Sequence, residues 1–137
     1  MGLFSGRRPS NLGAKNGRLA PCPGSPNCVS SQADPAGDAG HYVAALAFKG
    51  DPQAAWEALR RIVAESERAT IIGETDGYLY AEFESKVMGF VDDLECLLDA
   101  PARRIHVRSA SRLGYRDFGV NRERVETLRR RLRDAGA

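Results

Sequence analysis

The dipeptide Asp76-Gly77 limits the fold more than any other feature of this chain. Asp-Gly supplies the positive φ angles that a two-residue hairpin turn needs. The residues after it alternate: Leu79, Ala81 and Phe83 against Tyr78, Tyr80, Glu82 and Glu84. Period two over Tyr78 to Ser85 predicts a half-buried strand with one wet face. The run before the turn, Ala69 to Glu74, is β-branched and supplies the other arm. Two further β segments follow, Gly89 to Leu98 and Arg104 to Ser111, with a turn at Asp99-Ala100-Pro101. Strands in series joined by turns this short favour an antiparallel meander.

Helices flank the strands. Asp51 can cap a helix whose first position is Pro52. Ala55, Trp56, Leu59, Ile62 and Val63 recur every three or four residues and give it one apolar stripe, with Trp56 as the anchor. A last helix runs from about Val120 to Asp134, with Val125, Leu128 and Leu132 as its stripe. Tyr42 to Lys49 is apolar enough for a first strand. The order β-α-β-β-β-β-α predicts an α+β domain: one antiparallel sheet of about five strands with both helices on one face. The other face then carries Glu82, Glu84, Asp93 and Glu95, with Arg104, His106 and Arg108 on the next strand. Opposite charges on neighbouring strands stabilise a pair by about 0.2–1 kcal/mol.

The first 40 residues hold seven of the 14 glycines and five of the seven prolines, with no helical or strand period. They divide into a flexible tail, 1–18, and an irregular Cys/Pro-rich segment, 19–40, ahead of a domain at 41–135. The 137 residues carry a net charge of +2, too balanced to argue for nucleic acid. Both ends are nevertheless basic. Arg7, Arg8, Lys15 and Arg18 precede the first acid, and Arg122, Arg124, Arg129, Arg130, Arg131 and Arg133 crowd the last helix. Basic ends can steer towards phosphates or anionic lipid; the plainer reading is a solvated helix face. No window is apolar for long enough to span a membrane, and the start lacks the apolar core of a secretory signal. Gly6 stands where myristoylation wants Ser or Thr. Pro21, before Cys22, stands where a lipoprotein cleavage site wants a small residue. The expected location is cytoplasmic, or periplasmic or membrane-attached if an export segment precedes the sequence.

Four groups of residues invite chemistry. Cys22 and Cys28 bracket a proline-rich loop, CPGSPNC. Zinc usually wants four ligands, and only Cys96, His41 and His106 remain to help; no metal or other cofactor is expected. A Cys22–Cys28 disulfide suits an exported chain and not a reducing cytosol. A thiol nucleophile would need His41 or His106 as its base. Cys96 alternates with Leu94 and Leu98, as a buried small side chain would. Asp92 and Asp93 are adjacent in a strand, so they face opposite ways. Asp92 shares the apolar parity and needs a partner, Arg108 or Arg112, unless a bulge turns both aspartates outward.

The fourth group is the corner from Arg108 to Arg122. Arg108, Arg112, Ser109, Ser111, Tyr115 and the helix start near Asn121 can make an anion pocket, since guanidinium groups fork onto carboxylate or phosphate. The bland alternative is that Asn121 caps the last helix, Asp117 pairs with an arginine and the corner satisfies itself.

Three segments in series carry a resemblance: Pro21 to Ser31 (PCPGSPNCVSS), Met88 to Asp93 (MGFVDD) and Arg108 to Arg122 (RSASRLGYRDFGVNR). Together they resemble the domain-of-unknown-function 1499 family over about residues 20–132. The resemblance points to Cys22, Cys28, Asp92, Asp93, Arg108, Ser109, Ser111, Arg112, Tyr115, Asp117, Asn121 and Arg122, and implies no activity. The leading expectation is a non-enzymatic binding or accessory module that takes a small anionic or lipid-like ligand, or a partner protein, at the Arg108–Arg122 corner. An enzyme using the same corner or a Cys/His pair is the second. Electrostatic attachment to anionic membrane or nucleic acid through the basic ends is the third.

Overall fold

Asp76 and Gly77 do form a turn, with Gly77 at φ 74°, between β3 (Ala69–Thr75) and β4 (Tyr78–Glu84) in the computed structural model, which describes residues 4–137. β5 (Val91–Asp99) and β6 (Arg104–Ser111) continue the meander, each antiparallel to the strand before it. Two short strands, β1 (Cys28–Ser30) and β2 (Leu46–Ala47), pair with the far edge of β6. The result is one six-stranded antiparallel sheet in the order β1-β6-β5-β4-β3, with β2 beside β1. Helices α1 (Pro52–Glu65) and α2 (Val120–Asp134) complete the α+β fold.

The strand count exceeds the expected five because the sequence hides the short strands. The apolar run at 42–49 yields only Leu46–Ala47, and β1 lies in the segment read as irregular. Neither is long enough to show a period. Both exist because an unpaired edge of β6 would expose a row of N–H and C=O groups. Val29 lies opposite Ser109 and Leu46 opposite Ile105. Ser31 fills the gap between them: its N–H donates to Val107 O and its Oγ accepts from Val107 N, both at 2.9 Å.

The core sits between the helices and one sheet face. Trp56, Leu59, Val63, Val125, Leu128 and Leu132 pack over Leu79, Leu94, Cys96, Ile105 and Val107. Burial of each large side chain stabilises the fold by about 1.5–3 kcal/mol. Asp51 caps α1 as its sequence suggests, accepting from Ala54 N at 2.9 Å.

The opposite face is also covered. Residues expected to form a free tail run across it, with Ser5 and Leu19 buried. Gly13 N–H donates to Glu95 Oε2 at 2.8 Å, and Arg8 Nε donates to Glu82 at 2.8 Å. A segment held by scattered contacts of this kind, with Gln32 also bonded to Gly17 O and Leu19 N, leaves no periodic trace in the sequence. Residues 1–3 of the expected tail lie outside the described residues.

Cys22 and Cys28 are joined by a disulfide that pins this N-terminal stretch to β1. The sequence separation is only 6 residues, so the chain-entropy contribution is about 2 kcal/mol. Reduction, or replacement of both cysteines by serine, should lower the unfolding free energy by about that amount, read as a lower urea midpoint. An unmoved midpoint would show that the loop is held without the bond.

Candidate functional site

Strand parity splits the Arg108–Arg122 corner in two. Ser109 and Ser111 of β6 face the helices, while Arg108 and Arg112 lie on the side covered by the N-terminal segment. The anion fork therefore does not assemble: its guanidinium groups and its hydroxyls occupy opposite sides of one sheet.

On the covered side the arginines meet carboxylates. Glu82 of β4 lies directly opposite Asp93 of β5, a repulsive arrangement if left alone. Arg112 resolves it. Its Nε donates to Asp93 Oδ2 at 2.9 Å and its Nη2 reaches Asp93 Oδ1 at 2.8 Å and Glu82 Oε2 at 2.5 Å. Hydrogen bonding to Asp93 holds the guanidinium more firmly protonated than usual. Tyr80 Oη donates to Asp93 at 2.5 Å, and burial together with that bond pushes its phenol above the ordinary range. Arg108 is less well served. Its Nη1 stands 3.9 Å from Glu95, its Nη2 donates to Pro21 O at 3.3 Å, and burial lowers its pKa. Arg108 Nε and Glu95 Oε1 find no hydrogen-bond partner among the described residues.

On the helix side the hub is Asn121, fully buried in the first turn of α2. Its amide oxygen accepts from Ser109 Oγ at 2.7 Å and Arg124 at 2.9 Å. Its amide nitrogen has three acceptors for its two N–H groups: Asp117 Oδ2 at 2.8 Å, Ser111 Oγ at 2.9 Å and, more distant, Asn27 O at 3.2 Å. Asn121 is thus not the helix cap. Asp117 takes that task from outside the helix, accepting from Gly119 N at 2.9 Å and Asn121 N at 3.1 Å, and among the described residues no arginine pairs with it. Burial alone would raise the Asp117 carboxyl; the bonds from Asn121 and Gly119 outweigh it and hold it below its ordinary value. Asp92, on the apolar parity, is paired by α2 rather than by Arg108 or Arg112: Arg124 Nη2 lies 2.9 Å away and stacks 4.7 Å above the Phe83 ring. β5 keeps an unbroken register through both aspartates, so no bulge intervenes. Arg122 donates to the carbonyls of Tyr42 and Gly40, and Arg129 to those of Ala44 and Ala45. Two of the six arginines of α2 therefore stitch it to residues 40–45.

The cysteines and histidines stay apart from any shared chemistry. Cys22 and Cys28 are bonded to each other, and burial pushes the Cys96 thiol up. His41 is held between Asp38 and Ser25 O, each at 2.8 Å, and His106 lies 3.0 Å from Ser31 Oγ. Among the described residues no group of three or more His, Cys, Asp or Glu is placed to hold a metal ion, and no helix is long and apolar enough to cross a membrane.

What the corner does offer is apolar. The β4–β5 loop (85–90) and the β6–α2 loop (112–119) border a hollow of about 300 Å³. Phe90, Val91, Leu113, Phe118 and Val120 line it, with Asp92, Ser111, Arg116 and Asp117 at its polar margin. Among the described residues, eight large apolar side chains are exposed, and seven belong to this end: Val87, Met88, Phe90, Leu113, Tyr115, Phe118 and Val120. Phe118 is 95% exposed and sits at φ 54°, a strained angle for a bulky residue.

A family model described as a protein of unknown function, DUF1499, matches residues 18–132, most of the chain. The chain belongs to the DUF1499 family. No curated protein and no solved structure matches it. The DUF1499 match takes in the disulfide loop, both faces of the sheet and all but the end of α2. Within it, Arg112 and Asp93 meet on one face, and Ser109, Ser111, Asp117 and Asn121 meet on the other. Tyr115 stands apart, exposed on the loop.

The residues that sequence reasoning missed are the apolar ones of the two loops. The DUF1499 motif points to arginines and hydroxyls, while Phe118 reads as an ordinary loop residue and Val120 as the start of the last helix. One signal was available. Val87 and Met88 fall between two strands, where no core position exists to bury them.

Proposed function

We propose that this DUF1499 protein is a binding module, not an enzyme, and that its ligand is lipid-like. The hollow between loops 85–90 and 112–119 carries this reading. About 300 Å³ is the low end of the range for small-molecule sites, enough for a segment of acyl chain. Its walls are apolar, and Arg116 and Ser111 at the margin suit a polar head. The anionic-ligand version loses support because Arg112 is fully engaged with carboxylates and Arg108 is buried beside Glu95. A thiol mechanism loses support because two cysteines are bonded and the third is buried.

The test is calorimetric titration with a short-chain lysophospholipid kept below its micelle concentration. Saturable one-to-one binding is expected, weakened about tenfold or more in Val120→Trp, whose indole fills the hollow. Absence of saturation, or equal affinity in the variant, would remove the hollow as the site.

A further inference from the structure

The rim of the hollow presents more apolar surface than its interior. Side chains that project from loop tips, such as Val87 at 86% and Phe118 at 95% exposure, touch little of their own chain. Phe118 also sits in the left-handed region, so its backbone is strained while its ring gains no burial. The turn at 117–119 serves the helix through Asp117 and Gly119; the aromatic ring between them borders the hollow but stays 95% exposed.

Cations ring this apolar crown. Lys86 and Arg116 are exposed on the two loops, and Arg116 lies 6.0 Å from the Tyr115 ring. Arg7 is exposed beside Gly6, whose backbone packs against Leu113. Most carboxylates at this end are already engaged: Asp117 in the cap, Asp92 with Arg124, and Glu82 and Asp93 with Arg112. Glu84 and, in the first turn of α2, Glu123 are the exposed acids that remain, against the three exposed cations.

We propose that this end docks on the surface of an anionic lipid bilayer, with Phe118 and Val87 entering the acyl region and Lys86, Arg116 and Arg7 meeting phosphates. The inference rests on the lipid-binding reading above and names where the lipid is met. Two features select a bilayer. Apolar side chains on separate tips form no flat complementary face, which a protein partner would want, but a fluid leaflet accommodates them. Cations and a tyrosine around an apolar centre match the layered polarity of a membrane surface.

The experiment is co-sedimentation of the full-length protein with vesicles of phosphatidylcholine containing one quarter phosphatidylglycerol. Wild type should bind, and Phe118→Ser and Val87→Ser should each weaken partitioning about tenfold, since each removes one inserted side chain. Both positions are exposed, so their melting temperatures should match wild type and folding is not in question. Pure phosphatidylcholine or high salt should weaken binding severalfold. A wild type that stays in the supernatant, or binding indifferent to Phe118→Ser, overturns the proposal. So does a concentration-dependent dimer abolished by Phe118→Ser, which would give this end to a second copy. Lysolipid binding without vesicle binding would end the docking inference and leave the hollow standing; loss of both would end both.

Discussion

Replacing Arg112 with alanine should cost about 3–5 kcal/mol of stability, the range for removing one partner of a buried ion pair. The side chain of Arg112 is 3% exposed and that of Asp93 is 1% exposed. Without the guanidinium, two carboxylates on adjacent strands face each other, with Arg8 and the Tyr80 hydroxyl left near Glu82. Urea unfolding of wild type and variant measures the loss. A drop below about 1 kcal/mol would mean that the pair is solvated and worth no more than a surface bridge. Replacing Arg112 and Asp93 together by Met and Leu should cost much less than Arg112→Ala, because no charge is then left unpaired. The pH dependence gives a second readout. Burial raises the Glu82 carboxyl, but Arg112, Arg8 and Tyr80 more than reverse that, so its folded pKa lies below its ordinary value. A depressed carboxyl gives stability that is full above its unfolded pKa and lost as pH falls through the folded one. The acid limb of wild type should therefore be steeper than that of Arg112→Ala.

Local chemistry that repeats along the chain was readable in the sequence. The Asp76-Gly77 turn, the alternation of Tyr78–Glu84, the Asp51-Pro52 helix start and the stripe through Trp56 each repeat one rule over several residues, and each stands in the structure. Parity likewise separated Arg108 and Arg112 from Ser109 and Ser111, and Asp92 from Asp93. What the sequence did not disclose depends on contacts between distant segments. β1 exists because β6 offers it an edge, and residues 5–19 follow the sheet because its charged face offers them partners such as Glu82 and Glu95. The partner of Asp92 comes from α2, Arg124, a helix face that composition alone marks as solvated. The apolar loops were overlooked for a different reason. Polar residues in a loop invite a chemical story, whereas an exposed Phe118 is informative only once its burial is known.

Asn121→Ala should cost about 3 kcal/mol, although alanine is the better helix former at that site. The amide of Asn121 makes five hydrogen bonds from a position with no solvent exposure. It receives two through oxygen, and its two N–H groups share three acceptors, so no other residue type of its size can serve. Asn121→Asp tests that point. A carboxylate keeps the shape but loses the donors, and it would sit where the amide nitrogen now lies 2.8 Å from Asp117 Oδ2. At neutral pH the aspartate variant should be at least as unstable as the alanine variant. It should recover relative to alanine as the pH falls, because one proton between two close carboxylates restores a donor. The sign is that of a carboxyl raised by a like charge: its penalty is present when both are ionised and fades once one is protonated. An Asn121→Asp variant as stable as wild type at pH 7 would mean that the hub is bridged by solvent. The consequence extends to binding. Asp117 is fixed by this hub, and Phe118 follows it directly, so either variant should also weaken vesicle partitioning, by loosening the loop that presents the ring.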